Sequence, residues 1–405
     1  MPPTQPTGSI LRNRSVTGIG LGSFFSDAGH EMATAALPGF PRSLGAPAVA
    51  LGIIEGVADS ALSLSKLAGG VVADRPGVQR RSLTAGGYAV TALGHGAFAL
   101  ATVWPVVLVA RALSWAARGG KAPARDALLA GGVHPSQLGR AFGVERAMDS
   151  LGAVLGPLLA APLLVAIGYR PLFAVSIVPG LLAAGAVLLL VLEVPRGVAR
   201  AGGGKRWALP DLGTSSPAFL RLLAGIGLFG LGNFSATLLL LRVTDLLASG
   251  GRSLTAAAAI AVLLYAGHNA ANSVAAYPAG ALSDRVGRRR LLAGGIVLFA
   301  LGCLLFAAGP TSVVVLGVLF ALVGVSTGIV EPVQAAYVAD LVPDAQRGRA
   351  FGSIGLIVGL GGLVSSIGVG ALWTVTDPAV GLVVAAAVSL AAAMVIVTGR
   401  PTGPR

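Results

Sequence analysis

The sequence predicts an all-α integral membrane protein of twelve transmembrane helices, arranged as two pseudo-symmetric six-helix bundles. Its composition carries the first part of this prediction. Hydrophobic residues make up 55% of the 405 residues and charged residues only 11%, whereas a water-soluble domain carries roughly 25% charge. A second observation is that two charged motifs each occur twice, about half the chain apart, which indicates a duplicated unit.

The first repeated motif combines an aspartate with arginines. It reads Gly70-Val-Val-Ala-Asp74-Arg75-Pro-Gly77 in the first half and Gly280-Ala-Leu-Ser-Asp284-Arg285-Val-Gly287-Arg288 in the second. The second motif, Gly139-Arg-Ala-Phe-Gly143, returns as Gly348-Arg-Ala-Phe-Gly352. The nearly equal offset of both pairs favours two tandem copies of one helical unit.

Apolar runs delimited by charges or by Pro/Gly breaks predict the individual helices. A spanning helix needs about 20 apolar residues. No Asp, Glu, Lys or Arg occurs between Arg81 and Arg111, where Thr102-Val-Trp-Pro105 supplies a turn. None occurs between Arg290 and Glu331, where Gly309-Pro-Thr-Ser312 divides the run. The predicted spans are residues 16–38, 47–72, 83–102, 105–129, 139–167, 172–193, 218–241, 255–280, 291–308, 312–333, 350–373 and 379–398.

The placement of arginines predicts the domain organisation and orientation. Counted from an internal N-terminus, the even-numbered connections hold most arginines, and the odd-numbered ones hold little beyond Arg42, Arg170, Arg242 and Arg252. By the positive-inside rule, both termini are cytoplasmic. We divide the chain into a tail (1–15), a first bundle (16–193), a cytoplasmic linker (194–217), a second bundle (218–398) and a tail (399–405). Asp27 and Glu31 interrupt the first apolar segment, which we therefore interpret as a helix rather than a cleavable signal.

Several classes of function are disfavoured by the same composition. The net charge of +13 comes from basic residues that punctuate apolar runs, whereas nucleic-acid-binding proteins gather them on one face. A single cysteine, Cys303, and four dispersed histidines give no metal-ligand or nucleophile–base cluster. No Gly-Lys-Ser/Thr phosphate loop is present. We expect no enzyme activity, cofactor or metal, and no nucleic-acid partner.

Ionisable residues within the predicted helices are the candidate functional groups, since each costs roughly 2.5–3.5 kcal/mol at the bilayer centre. Those of the first half are Asp27, His30, Glu31, Glu55, Asp59, Arg111, Arg118, Glu145, Arg146 and Asp149. The acids fall in pairs spaced i,i+4, so the two members of a pair share a helix face. We expect these charged stripes of four helices to converge on an interior cavity.

Asp27 and Glu31 are the primary candidates for proton coupling, with His30, Glu55 and Asp59 as further candidates. Neighbouring carboxylates repel each other, and such a pair is suited to binding and releasing a proton. Structural pairing and direct substrate contact remain open alternatives for them. Arg111 and Arg118 could likewise form structural ion pairs with Glu145 and Asp149. We interpret Lys121, Arg125 and Asp126 as solvated groups near the cytoplasmic helix end.

The second half offers mostly uncharged polar groups at membrane depth. Its cavity candidates are Asn233, His268, Asn269, Asn272 and Glu331, which join Arg111, Arg118, Glu145, Arg146 and Asp149 of the first half. This asymmetry predicts that ion handling belongs to the first half and that both halves contribute to recognition.

The repeated Gly-x-x-x-Asp-Arg-x-Gly motif resembles the loop signature of the major facilitator superfamily. Further stretches are similar to a prokaryotic branch of permeases in that superfamily whose substrates are mostly unassigned. They are Ser23-Phe-Phe-Ser-Asp27, Glu31-Met32, Ile54-Glu-Gly-Val-Ala58, Pro123-Ala-Arg-Asp-Ala127, Arg140-Ala-Phe-Gly143, Arg146-Ala-Met-Asp149, Gly152-Ala-Val-Leu-Gly-Pro157 and Arg347-Gly-Arg-Ala-Phe-Gly352. The chain departs from this branch at Gly119-Gly-Lys121, at His30 and at Glu145.

The resemblance implies a secondary transporter that works by alternating access. A central cavity would be lined by helices 1, 2, 4 and 5 with helices 7, 8, 10 and 11. The gating loops would comprise Gly70, Asp74, Arg75, Gly77, Gly280, Asp284, Arg285, Gly287 and Arg288. We expect a monomer in the cytoplasmic membrane of a prokaryote, with a small molecule and protons as its partners besides lipid.

Proton-coupled efflux of a drug or metabolite is the favoured activity. One alternative is proton-coupled uptake of an anionic metabolite, because Arg111 and Arg118 could receive a carboxylate or phosphate. An alternative of another class is a membrane sensor that does not transport.

Overall fold

The described residues of this protein form helices, and they contain no β-strand. A computed structural model describes residues 10–73, 75, 77–134, 137–193, 216–342 and 347–398. The predicted all-α class is confirmed over these ranges. Asp74, residues 194–215 of the predicted linker, residues 1–9 and residues 399–405 lie outside the described residues.

Eight α-helices form the first half of the chain. They are α1 (Arg14–Ala36), α2 (Gly39–Ser43), α3 (Ala48–Ala73), α4 (Arg80–Gly96), α5 (Trp104–Gly131), α6 (Leu138–Ile167), α7 (Tyr169–Val175) and α8 (Ile177–Leu190). Short 3-10 turns precede α1 at Ile10–Arg12 and follow α4 at Ala97–Leu100.

Seven α-helices form the second half. They are α9 (Pro217–Gly232), α10 (Ala236–Ser249), α11 (Leu254–Val286), α12 (Arg288–Ala307), α13 (Val313–Leu341), α14 (Arg347–Val375) and α15 (Pro378–Val397).

Nine helical segments of the described chain are long and apolar enough to cross a bilayer, counting α7 with α8 and α9 with α10 as one segment each. Three more predicted spans correspond to α1, α4 and α5. Of these, α4 has only 17 residues, and α5 carries several charged side chains. The protein is therefore a multi-pass membrane protein, while the count of twelve spans and the cytoplasmic position of the termini stay predictions.

Two compact units can be distinguished by their internal packing. Unit 1 comprises the described residues within Met1–Thr34, Ala61–Ala101 and Val109–Gly203, and unit 2 those within Ala35–Ser60, Thr102–Leu108 and Gly204–Arg405. The division between units falls inside α3, between Ser60 and Ala61. The predicted bundles 16–193 and 218–398 follow chain order instead and stay a prediction.

Each unit has its own apolar core. In unit 1, the buried residues Val16, Tyr88, Leu128, Ala141 and Val187 join α1, α4, α5, α6 and α8. In unit 2, α11 packs against α13, and α12 packs against both α13 and α15. Packing of apolar helix faces, which no single helix can bury alone, accounts for both cores.

Two predicted helices differ from the structure in their extent or continuity. The span predicted at 218–241 is broken at 233–235, where the Ser235 hydroxyl accepts a hydrogen bond from the Thr237 N–H and caps α10. The second copy of the Asp-Arg motif was predicted to be a loop, but α11 continues through it to Val286. Only Gly287, at φ +91°, makes the turn into α12, and this left-handed backbone favours glycine.

Candidate functional site

Asp27 of α1 is the centre of a buried charge cluster in unit 1. Its side chain is 5% exposed, and its Oδ1 accepts a hydrogen bond from Arg118 Nη1 of α5 at 2.6 Å. The carboxyl group of Asp149, from α6, lies within hydrogen-bonding reach of Asp27. One guanidinium therefore faces two acids, and we call Asp27, Arg118 and Asp149 the Asp27 cluster.

Close helix packing brings the two acids together. A Cβ added at Gly152 would overlap the carbonyl oxygen of Phe24, and one added at Gly156 would crowd the carbonyl of Ala28. Because these glycines carry no side chain, α6 approaches the backbone of α1 directly. Asp149 lies three residues before Gly152, on the same face of α6. The contact between α6 and α1 therefore also places Asp149 beside Asp27.

A second ion pair lies about two turns further along α5. Arg125 Nη1 contacts Glu145 Oε1 of α6 at 2.7 Å, and Arg125 also binds its neighbour Asp126. The Ser23 hydroxyl donates to the same Glu145 oxygen at 2.9 Å. The Glu145 side chain is 4% exposed, so it depends on these partners to offset the cost of burial.

Lys121 lies between these two ion pairs on α5. Its Nζ is 3.9 Å from the centre of the Tyr88 ring, which places the ammonium over the ring face. The Tyr88 hydroxyl is in turn 3.5 Å from the Ser23 hydroxyl. A cation–π contact of this kind stabilises a desolvated ammonium, which explains how Lys121 is accommodated although it is buried.

A third polar group lies around Arg111, which is fully buried. Its guanidinium stacks on Trp115 at 3.4 Å and donates to the Thr34 hydroxyl at 2.9 Å. His30 lies 4.4 Å from the Trp115 ring, centre to centre, and its Nε2 is 3.4 Å from Glu31 Oε1. Stacking and a hydrogen bond replace part of the hydration that Arg111 loses.

A cavity of about 480 Å³ within unit 1 borders the Asp27 cluster. Its polar lining residues are Ser23, Asp27, Lys66, Tyr88, Arg118, Lys121, Arg125, Asp126, Arg146 and Asp149. They include five cations and three acids, drawn from α1, α3, α5 and α6. This volume can hold a small organic molecule.

The predicted charged stripes converge only in part. Asp27, Arg118, Arg146 and Asp149 line the cavity, and Glu145 reaches it through Arg125. Arg111, His30 and Glu31 belong instead to the group around Trp115. Arg118 pairs with Asp27 rather than with Glu145, whose basic partner is Arg125.

The remaining first-half candidates lie in the part of α3 that belongs to unit 2. Glu55 is buried there and accepts a hydrogen bond from the Ser235 hydroxyl at 3.1 Å, beside the break between α9 and α10. Asp59 lies one turn further along α3. Glu55 is not among the residues that line the cavity of unit 1, and the expectation that acids of this helix share a cavity with Asp27 stays a prediction.

The second-half candidates are dispersed over unit 2. His268 is buried, stacks on Tyr265 and contacts the carbonyl oxygen of Phe320 at 3.2 Å. Asn269 is buried nearby, and Asn272 is half-buried one turn further along α11. Asn233 ends α9, and Glu331 is exposed on α13.

Arg288, a predicted gating-loop residue of the second motif, contacts α13. Arg288 Nη1 binds Asp340 at 2.8 Å, and Arg288 Nη2 is 3.3 Å from Asp284. Arg288 also donates to the carbonyl oxygen of Ala336. Of the first motif, Gly70 lies in α3 and Gly77 has φ +83°, whereas Asp74 is outside the described residues.

Lys121, Arg125 and Asp126 line the cavity, whereas the sequence predicts solvated groups at the helix end. A signal was available. Arg111, Arg118 and Arg125 are spaced seven residues apart, and Lys121 lies three residues after Arg118. This spacing aligns the basic residues on one face of α5, which continues to Gly131.

Comparison with known proteins adds independent observations. The family model described as Major Facilitator Superfamily matches residues 19–268 and 248–405. An uncharacterised MFS-type transporter of Methanocaldococcus jannaschii is 27% identical over 372 residues, covering 90% of this chain and 89% of that protein. An uncharacterised protein of Mycobacterium tuberculosis is 31% identical over 371 residues, covering 86% and 83%. A mutant of the nucleoside transporter NupG shares the fold, with a TM-score of 0.81 at 14% identity over 94% of this chain and 98% of that chain.

Proposed function

The chain belongs to the major facilitator superfamily, and we propose that this secondary transporter exports a small organic solute in exchange for protons. The Asp27 cluster would bind the proton, and the adjoining cavity of unit 1 would contact the solute. The carrying observation is that Asp27 and Asp149 lie within hydrogen-bonding reach of each other while both border the cavity.

Two carboxyl groups can form a hydrogen bond only if one of them holds a proton, because an ionised carboxylate is solely an acceptor. Asp27 and Asp149 are thus suited to sharing one proton. Arg118 balances the remaining negative charge through its 2.6 Å contact with Asp27. Loss of the proton would leave two like charges side by side, which favours either re-protonation or the arrival of a cationic group.

The position of these acids in the cavity lining supports export. A solute that binds at Asp27 or Asp149 competes with the proton for the same carboxylates. Proton and solute then bind in alternation, and the protein exchanges one for the other. With protons entering down their gradient, exchange drives the solute out.

Proton-driven flux in proteoliposomes tests this proposal. A thermal-shift screen of the purified protein against metabolites and drugs first selects a solute. Flux of that solute is then measured under an imposed pH gradient for the wild type, Asp27→Asn and Asp149→Asn. Both substitutions should abolish the response to the gradient. Asp126→Asn is the matched control, because Asp126 lines the same cavity but pairs with Arg125. Gradient-driven flux that persists in Asp27→Asn and Asp149→Asn would refute the proposal.

A second candidate function is uptake of an anionic metabolite together with protons. It is favoured by the excess of cations over acids in the lining, to which Lys66, Lys121 and Arg146 contribute. The direction of flux separates the two. Under a pH gradient that is acidic outside, the exporter moves solute outward and the symporter accumulates a carboxylate or phosphate inward. Lys66→Gln should weaken binding only of an anionic solute.

A further inference from the structure

Unit 2 contains a separate cavity of about 350 Å³ at the junction of α11 and α12. The start of α9, the end of α13 and the end of α15 complete its walls. Four arginines border it, namely Arg221 of α9 and the consecutive Arg288, Arg289 and Arg290 of α12. Asp340 is the one acid among the described residues of the lining.

The charge balance of this cavity is strongly positive. Arg288 is engaged with Asp340 at 2.8 Å and with the carbonyl oxygen of Ala336, so this pair is locally neutral and fixes α12 to α13. Arg221, Arg289 and Arg290 add three further basic side chains to the lining, from two different helices. Like charges converging on one cavity repel, which favours binding of an anion there.

The first turn of α12 adds a second attraction for an anion. Helix N-termini present N–H donors and a partial positive charge, which are usually complemented by an acid or a capping side chain. This terminus has no acid in its first turn and no side-chain cap, and arginines occupy its first three positions. Cations at this end of a helix oppose its dipole. An anion that binds both the N–H groups and the guanidinium groups would offset that cost.

Control of topology explains only part of this arrangement. The positive-inside rule accounts for arginines at one membrane face. It does not account for Arg221, on another helix, sharing a cavity with Arg289 and Arg290. The Tyr337 hydroxyl supplies a further donor, and the apolar side chains of Leu222 and Ile396 line the same space. Guanidinium groups beside an apolar wall suit a phosphate that carries an organic moiety.

We propose that this cavity binds a phosphate group. The favoured source is the headgroup of an anionic phospholipid, because the cavity lies where α11 ends and α12 begins, at the limit of two candidate membrane spans. Free phosphate has the same chemistry and is the other source. This site is distinct from the Asp27 cluster and independent of the transported solute.

Lipid binding by the full-length purified protein tests the proposal. Native mass spectrometry measures retention of phosphatidylglycerol and of zwitterionic phosphatidylcholine, and a thermal shift measures binding of inorganic phosphate. Wild-type protein should retain phosphatidylglycerol in preference to phosphatidylcholine. The double substitution Arg289→Gln and Arg290→Gln should weaken this binding about tenfold or more, because it removes charge-assisted hydrogen bonds.

The control is Arg285→Gln, which removes one positive charge from the exposed end of α11 outside the cavity lining. It should leave phosphatidylglycerol binding nearly unchanged. Arg289→Lys with Arg290→Lys keeps the charge but not the fork geometry, and should retain intermediate affinity even if the glutamine variant fails to fold. Stabilisation of the wild type by phosphate alone, lost in the lysine or glutamine variant, would assign the site to free phosphate. Equal losses in Arg285→Gln, or no binding of either ligand, would overturn the proposal.

Discussion

At the scale of single residues, the buried charges of unit 1 are arranged as paired groups. Asp27 has Arg118, Glu145 has Arg125, and Lys121 has the ring of Tyr88. A charge at membrane depth is costly unless it faces water or a partner. Asp27 also has a second acid, Asp149, within hydrogen-bonding reach. The proposed proton-binding role rests on that contact between two acids.

Arg125→Gln should destabilise the protein by about 3 kcal/mol or more, because breaking a buried pair leaves an uncompensated charge on Glu145. The free energy of unfolding can be compared through chemical denaturation in detergent. Arg146→Gln is the control, since its side chain is 77% exposed and its contact with Asp149 is 3.7 Å. It should cost less than about 1 kcal/mol.

A second substitution checks the cause of the Arg125 effect. Adding Glu145→Gln to Arg125→Gln removes the unpaired charge and leaves an amide that can still bond to Ser23. Part of the lost stability should return. Equal losses in Arg125→Gln and Arg146→Gln, or no recovery in the double variant, would contradict the assignment of a buried ion pair.

Individual residues could be predicted from the sequence where the helix period alone decides. The spacing of Asp27, Arg118 and Asp149 within apolar runs identified them as candidates, and all three line one cavity. Their mutual contacts could not be predicted. Which acid meets Arg118 depends on how α6 crosses α1 at Gly152 and Gly156, and this crossing is a tertiary property.

At the scale of helices, contacts between glycine backbones set the shape of the cavity in unit 1. A Cβ added at Gly69 of α3 would overlap the backbone of Gly120 in α5, and one added at Gly119 would overlap the Leu62 carbonyl. This close crossing positions Lys66, which lines the cavity from α3.

Gly69→Ala should therefore separate α3 from α5 and destabilise the protein by roughly 1–3 kcal/mol, the usual cost of overpacking. The adjacent Gly70→Ala is the control, because its added Cβ would meet only Pro123 at 4.0 Å. It should be neutral or stabilising by up to about 1 kcal/mol, since alanine favours the helix. The midpoint temperatures of thermal unfolding of both variants measure this difference in stability. A Gly70→Ala loss as large as that of Gly69→Ala would contradict this packing.

Helix ends were less predictable than helices. The apolar run at 218–241 gave no clear signal for the break at 233–235, which depends on a cap at Ser235 and a hydrogen bond from its N–H to Ser366. Conversely, charge density in the Asp284 motif suggested a loop where α11 stays helical. A cluster of charges is compatible both with a loop and with a helix that ends at the membrane surface. Composition alone could therefore not distinguish a loop from a helix at this motif.

At the scale of the whole molecule, the resemblance to the major facilitator superfamily drawn from short motifs is confirmed by a family match over nearly the entire chain. The repeated motifs were sufficient to identify the superfamily, because both copies of the duplicated unit carry the motif. The units of the structure do not follow chain order, since Ala35–Ser60 packs within unit 2. Such packing across the sequence halves depends on long-range contacts that no local pattern encodes.

The predicted orientation can be tested with two cysteines at opposite ends of α11. In a Cys303→Ala background, Arg252→Cys should react with a membrane-impermeant maleimide in intact cells. Arg252 precedes the span 254–286, in a connection that the arginine placement predicts to be external. Arg285→Cys, at the arginine-rich end, should react only after permeabilisation. The reverse labelling pattern would contradict cytoplasmic termini. Native Cys303 is fully buried, so the wild type is the unlabelled control.

The central claim, that Asp27 and Asp149 share a proton, is tested most directly by infrared spectroscopy of the purified protein at neutral pH. A protonated carboxylic acid gives a carbonyl band that an ionised carboxylate lacks. We predict that the wild type shows such a band, that Asp149→Asn and Asp27→Asn lose it, and that Asp126→Asn retains it. A spectrum of Asp149→Asn with the band unchanged would contradict the claim.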